Sequence, residues 1–194
     1  MSKSDSNSAK KQRSKTTGWV LTIFLVTILV SGVISLASDL IMDLSTMAMA
    51  FVILLVIVLL GIVFDSIGVA VTSADERPFH SMAARKVPGA QEAIRLLRNA
   101  ERVSSICNDV VGDICGVVSG SASATIAAQV IASANFTWPR IVTLLMSSIV
   151  AGLTVGGKAI GKTFAIGSCT KIVHSVGKFL WAIRKLPTFV KRKK

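Results

Sequence analysis

The sequence predicts an all-α fold, a polytopic bundle of membrane helices, and three observations carry that reading. Hydrophobic residues make up 52% of the 194 positions and charged residues only 16%, with a mean hydropathy of +0.66, a balance that soluble globular chains do not show. Four uncharged apolar runs are long enough to cross, or nearly cross, a hydrocarbon core. The net charge of +12 is also uneven: ten of the 22 basic residues fall within 158–194, a span without an acid. Such a segment belongs beside anionic lipid headgroups on the cytoplasmic side. The apolar runs around it favour lipid over nucleic acid as its partner.

Residues 1–16 are polar, Ser-rich and basic and are expected to be a disordered N-terminus. Residues 19–37 form the first apolar run. Ser35-Leu36-Ala37 loosely resembles a signal-peptide cleavage site, but the run is longer than a typical signal core, so a retained helix is expected. Asp39 and Asp43 follow without a base, as in a short external loop. The second run, 47–64, gives about 27 Å of helix. Beyond it Asp65 and Ser66 interrupt a pattern that stays apolar through Val71. An acid embedded there is costly and points to function by default.

From Pro78 to Cys107 the composition turns soluble. Pro88-Gly89 precedes an amphipathic segment, 90–103, with Ala93, Leu97 and Ala100 on one face, expected to form a helical hairpin arm on the cytoplasmic surface. The stretch 108–134 opens with Asp109 and Asp113, four apart and so on one helical face, ahead of the third uncharged run, 114–134. It carries Gly112, Gly116, Gly120, Ala124, Ala128 and Ala132 at every fourth position, a ladder that lets another helix backbone approach. The sequon Asn135-Phe136-Thr137 lies in the following turn, where Trp138 anchors the outer interface.

Residues 141–157 return through the membrane, with the pairs Gly152/Gly156 and Gly157/Gly161 as further close-approach sites. An interfacial helix is expected over 164–186. At 100° per residue Ile172, Val173, Val176, Phe179, Leu180 and Ile183 share one arc and Lys171, Ser175, Lys178 and Lys185 the opposite one. Of the 22 bases only Arg140 falls outside the cytoplasmic segments, so both termini are expected in the cytoplasm of a multi-pass plasma-membrane protein. Cys107, Cys115 and Cys169 lack metal-ligand spacing and read as reduced packing residues.

Three stretches in order resemble the membrane domain of the CorB/CNNM magnesium transporters. Phe64-Asp65-Ser66-Ile67-Gly68-Val69-Ala70-Val71-Thr72-Ser73 is similar to the family's Phe-Ser-Gly-Ser-Glu-x-Ala-Leu-Thr-Ser. Gly89-Ala90 through Leu96-Leu97-Arg98-Asn99-Ala100-Glu101-Arg102 to Cys107-Asn108-Asp109 is similar to its helical arm and Gly-Asn-Asn. Gly157-Lys158-Ala159-Ile160-Gly161-Lys162-Thr163-Phe164-Ala165 is similar to its Gly-Glu-x-x-Pro-Lys-x-x-Ala. The resemblance implies three core transmembrane helices over 46–187, a cytoplasmic hairpin, an amphipathic juxtamembrane helix and a homodimer. Residues 17–45 are then an extra N-terminal helix with its external loop, and 188–194 a basic tail without the family's regulatory domains. The chain departs from the pattern in its ligands: Ile67 and Gly68 stand where the family has Ser and Glu, and Lys158 where it has Glu. Asn108 is the ligand position kept cleanly, and Ser66 falls where the family has Gly.

Asp65, Ser66, Asn108, Asp109 and Asp113 are therefore the candidate metal ligands, with magnesium the expected ion. Magnesium takes hard oxygens and keeps several waters, so two carboxylates with Asn108 or Ser66 suffice chemically. Alternatively Asp109 and Asp113 simply cap a helix N-terminus. No enzyme constellation is present: His80 and His174 are isolated, and Gly157 to Thr163 lacks the spacing of a phosphate loop. The leading functional expectation is divalent cation transport, with the ion held in a cytoplasm-facing cavity that a rearrangement around Gly157 and Gly161 opens. The alternatives are a non-transporting relative acting as partner subunit or scaffold, and a small pore-former using its basic helix.

Overall fold

The computed structural model describes residues 18, 20–37, 40, 46–134 and 138–191, without the side chains of residues 134 and 186–191. The expectations for residues 1–16, Asp39, Asp43, the sequon and the side chains of the basic tail lie outside the described residues. The described chain is helical, with no strand among these residues. Four helices are long and apolar enough to cross a membrane: α1 (Val20–Ala37), α2 (Met47–Ser73), the helical stretch Ala100–Ser133, and α7 (Pro139–Gly167). Between the second and third spans lie α3 (Arg77–Ala84) and α4 (Ala90–Arg98). The third span is α5 (Ala100–Ser105), a π-helical segment (Ile106–Gly112) and α6 (Asp113–Ala134); α8 (Cys169–Lys191) follows α7.

Large apolar side chains stand exposed along these spans, among them Leu25 and Leu29 of α1, Leu55 and Leu59 of α2, and Leu144, Ile149 and Leu153 of α7. Continuous apolar bands of this extent on a monomer surface are made for lipid, and the chain is a membrane protein. α2 runs unbroken past Asp65 to Ser73, about 40 Å of helix against a core of roughly 30 Å. Its last turns therefore project toward α3 and α4, which form an arm at one end of the bundle.

Away from the arm the core is Ala50, Leu54 and Val58 of α2, Ala122 and Ile126 of α6, and Val150 of α7. Val110, Ile114 and Val118 form a second cluster, against which Ile57 and Ile23 of α1 pack. α1 is otherwise peripheral. The arm end is held by Ala70, Val71, Phe79, Ala93, Leu97, Ala165 and Val173, so Ala93 and Leu97 bury the face expected of them. Between the apolar spans, contacts in lipid stabilise by close packing more than by hydrophobic transfer.

Glycine decides how close the helices come. On α7, Gly161 lies against Ser66, whose Oγ would be 2.5 Å from an added Cβ, and a Cβ on Gly157 would collide with Ile62. The other expected pair, Gly152 and Gly156, meets nothing within 4 Å. The small-residue ladder packs closely only at its first rung, in the π-helical segment: Gly112 is buried, Gly116 is half-buried with nothing within 4 Å of an added Cβ, and Gly120, Ala124, Ala128 and Ala132 on α6 are exposed. The face of α6 that packs is the adjacent one, Ile114, Val118, Ala122 and Ile126, with Ser119 and Ser123 donating to their own helix at Gly116 O (2.9 Å) and Gly120 O (2.8 Å).

Two helix boundaries differ from expectation. The amphipathic segment 90–103 is broken at Asn99, whose Nδ2 donates to Arg95 O at 2.9 Å and whose backbone leaves the helical region. α7 continues through residue 164 to Gly167, and the following helix begins at Cys169; Ser168 N donates to Phe164 O at 3.0 Å and closes the last turn. α8 does not merely lie on a lipid surface. Its Val173 and Gly177 are buried against the arm, while Phe179 and Ile183 of the same predicted arc remain exposed.

The α4–α8 crossing is a glycine-to-glycine contact. Gly89 has φ +86°, and an added Cβ there would lie 2.5 Å from Lys178 N; one on Gly177 would lie 2.6 Å from Gly89 O. Arg184 Nη1 reaches Glu92 Oε1 at 2.8 Å and closes the same interface. Gly177→Val is expected to cost roughly 2 kcal/mol through overpacking and to lower the melting temperature of the detergent-solubilised protein. Trp181, three residues from Arg184 on α8, provides a fluorescence readout, and an unchanged melting curve would contradict this crossing.

Candidate functional site

Asp65 sits where α2, the π-helical segment and α7 meet. α2 and the third span run antiparallel here: Gly61 faces Cys115, Asp65 faces Gly112, and Gly68 faces Asn108. α7 runs alongside α2, with Ile62 and Ser66 against Gly157 and Gly161. Alternating small residues on three helices thus bring backbones together around one carboxylate. Asp65 is the one buried charged residue among those described, at 4% exposure. A buried carboxylate without a counter-charge is very costly, so its surroundings must supply one.

They do so from α7. Lys162 Nζ lies 3.4 Å from Asp65 Oδ2. The Lys162 side chain is 49% exposed, so its stem lines the helix while the ammonium reaches inward to the acid. One turn earlier, Lys158 Nζ donates to Gly112 O at 3.2 Å. A Cβ on Gly112 would lie 3.6 Å from Lys158 Nζ and 3.7 Å from Asp65 Oδ1, so glycine is what admits both groups to one spot. The centre is one carboxylate flanked by two ammonium groups.

The π-helical segment forms the remaining wall. π turns are rare and concentrate at functional sites. Here the segment carries Asn108, whose Nδ2 donates to Ser104 Oγ at 3.2 Å. Its Oδ1 occupies the space an added Cβ on Gly68 would need. Gly68 is therefore the residue that makes room for Asn108. Asn108 Oδ1 and Asp65 Oδ2 are both enclosed and accept no hydrogen bond.

The five sequence-predicted ligands separate into two groups. Asp65, Ser66 and Asn108 flank the α2 face, although Ser66 Oγ donates to Ile62 O at 2.8 Å and turns toward Gly161. Asp109 and Asp113 are exposed, and Asp109 Oδ2 accepts from Ser105 Oγ at 2.8 Å. Neither caps a free helix end, because the chain is already helical from Ala100 onward. Among the described residues no group of three or more His, Cys, Asp or Glu is arranged to hold a metal ion. Gly157 and Gly161 lie inside the regular helix α7 as packing contacts.

The residue that sequence reasoning did not assign is Lys162. Its signal was present in the spacing, since Lys158 and Lys162 each follow a packing glycine by one residue and so share a face turned 100° from it. The three cysteines are free: Cys107 is buried, and Cys115 and Cys169 are half-buried.

The chain matches no family model, and neither a curated protein nor a solved structure is significantly similar to it.

If the pair neutralises Asp65, Lys162→Gln leaves the acid without its partner and is expected to cost about 2 kcal/mol, below the full buried-pair penalty because Lys162 is half-exposed. Asp65→Asn in the same chain should recover most of that loss. A thermal double-mutant cycle in detergent should give a coupling of about 1 kcal/mol or more, and simple additivity would show that the contact carries no energy.

Proposed function

We propose that this chain is a non-transporting, multi-pass protein of the plasma membrane that acts as a subunit or scaffold, with both termini and the α3–α4 arm in the cytoplasm. The observation that carries the reading is the ammonium of Lys162 at 3.4 Å from Asp65 Oδ2. With Lys158 at the Gly112 carbonyl, the space beside the one buried acid is taken by the chain's own cations. A magnesium ion would need that acid and would meet two like charges there. The orientation follows the distribution of bases. The exposed stripe of Gly120, Ala124 and Ala128, beside the α6–α7 groove lined by Gly116, Ser147 and Ala151, supports association with a second copy.

A second reading, divalent cation transport as the CorB/CNNM resemblance implies, has its own support. Asp65 Oδ2 and Asn108 Oδ1 are enclosed acceptors without hydrogen bonds, a capacity that an ion or its water shell could use if Lys162 swung outward. Asp65, Ser66 and Asn108 would then hold the ion, with exposed Asp109 and Asp113 near its entrance.

Magnesium flux into proteoliposomes separates the readings. On the first, wild type, Asp65→Asn and Lys162→Gln all match protein-free vesicles. Flux in the wild type that Asp65→Asn abolishes would overturn the first reading and establish the second.

A further inference from the structure

A groove of about 460 Å³ lies between α2, the end of α7 and the first turns of α8. Its two sides differ in chemistry. Val63 and Ile67 of α2, Phe164 of α7 and Ile172 of α8 make an apolar wall, with Val63 52% and Phe164 66% exposed. Ser168, Lys171 and Ser175 make a polar rim. Lys171 is exposed, and among the described residues no acid pairs with it. No acidic residue follows Asp113 anywhere in the sequence, so nothing in α7 or α8 can neutralise this rim internally.

The groove also sits at the depth where such chemistry has a natural occupant. Val63 and Ile67 flank Asp65, about 27 Å along α2 from Met47 and so near the boundary of the apolar layer. Val63, Ile67 and Phe164 belong to the apolar spans α2 and α7, and Lys171 lies on α8, the helix that follows them. A ligand that matches must be apolar at one end, anionic at the other, and positioned at that boundary.

We propose that this groove binds one anionic glycerophospholipid, with part of an acyl chain against Val63, Ile67 and Phe164 and the headgroup phosphate at Lys171. This goes beyond a general attraction of the basic segment to charged headgroups, because it names one site, built by three helices. It rests on the chain being membrane-embedded and is independent of whether any ion moves.

The test uses the full chain in nanodiscs of equal phosphatidylglycerol and phosphatidylcholine, followed by mild detergent extraction and native mass spectrometry of retained lipid. The wild type should retain one phosphatidylglycerol per chain in preference to phosphatidylcholine. Lys171→Gln should reduce that retention roughly fivefold, the worth of one well-placed base at an anionic surface. Ile67→Trp, which fills the groove, should reduce it at least as much. Lys178→Gln, the same charge change on α8 outside the groove, should leave it unchanged. Equal retention of both lipids, no retained lipid, a protein seated in the groove instead, or equal losses from Lys171→Gln and Lys178→Gln would each overturn the site. Should Ile67→Trp fail to fold, the exposed pair Lys171 and Lys178 still decides the matter.

Discussion

A carboxylate at 4% exposure inside an apolar helix has to be neutralised, and much of this structure follows from how that is done. The counter-charge comes from Lys162 on α7, a helix almost a hundred residues further along the chain. For that ammonium to arrive, α7 must run close beside α2, and it does so because Gly157 and Gly161 present no side chain to Ile62 and Ser66. The third span must also come close, and Gly112 opposite Asp65 and Gly61 opposite Cys115 permit it. The ion pair and the glycine contacts are one constraint seen twice. Without the close approach the acid would be unpaired, and without the acid the lysines would have no inward partner.

The same logic separates structural from functional explanations of the polar centre. Lys158 and Lys162 are four residues apart on one face of α7, so both reach the place where α2 meets the π-helical segment. One satisfies a backbone carbonyl and the other a carboxylate, which is how a polar cluster is tolerated in a medium without water. Yet Asn108 Oδ1 and Asp65 Oδ2 remain without hydrogen bonds, so the satisfaction is incomplete. Lys162, itself half-exposed, holds Asp65 from the α7 side.

The arm end shows a different solution. There the chain leaves the apolar layer, and α4 and α8 dock through Gly89 and Gly177, reinforced by Arg184 on Glu92. Lys185 lies 4.7 Å from the Trp181 ring centroid, an arrangement suited to the edge of a membrane. Because one side of α8 is committed to the arm, Ile172 and Val176, together with α2 and the end of α7, frame the groove. The arm contact and the groove thus share one amphipathic helix.

The sequence by itself determined the helical class, the four apolar spans, the amphipathic arm with Ala93 and Leu97 inward, and the importance of Asp65. Each rests on composition or on a period that a single helix imposes. Only the tertiary structure decided that Lys162 is the partner, that Gly112 alone of the α6 ladder is packed, that Asp109 and Asp113 lie outside, and that Asn99 and Ser168 break the arm and the last span. The physical reason is that in lipid both sides of a helix are apolar, so hydropathy does not tell a protein-facing side from a lipid-facing one. That choice is made by the fit of backbones across helices, where a missing Cβ or a lysine's reach of a few ångströms decides which residues meet.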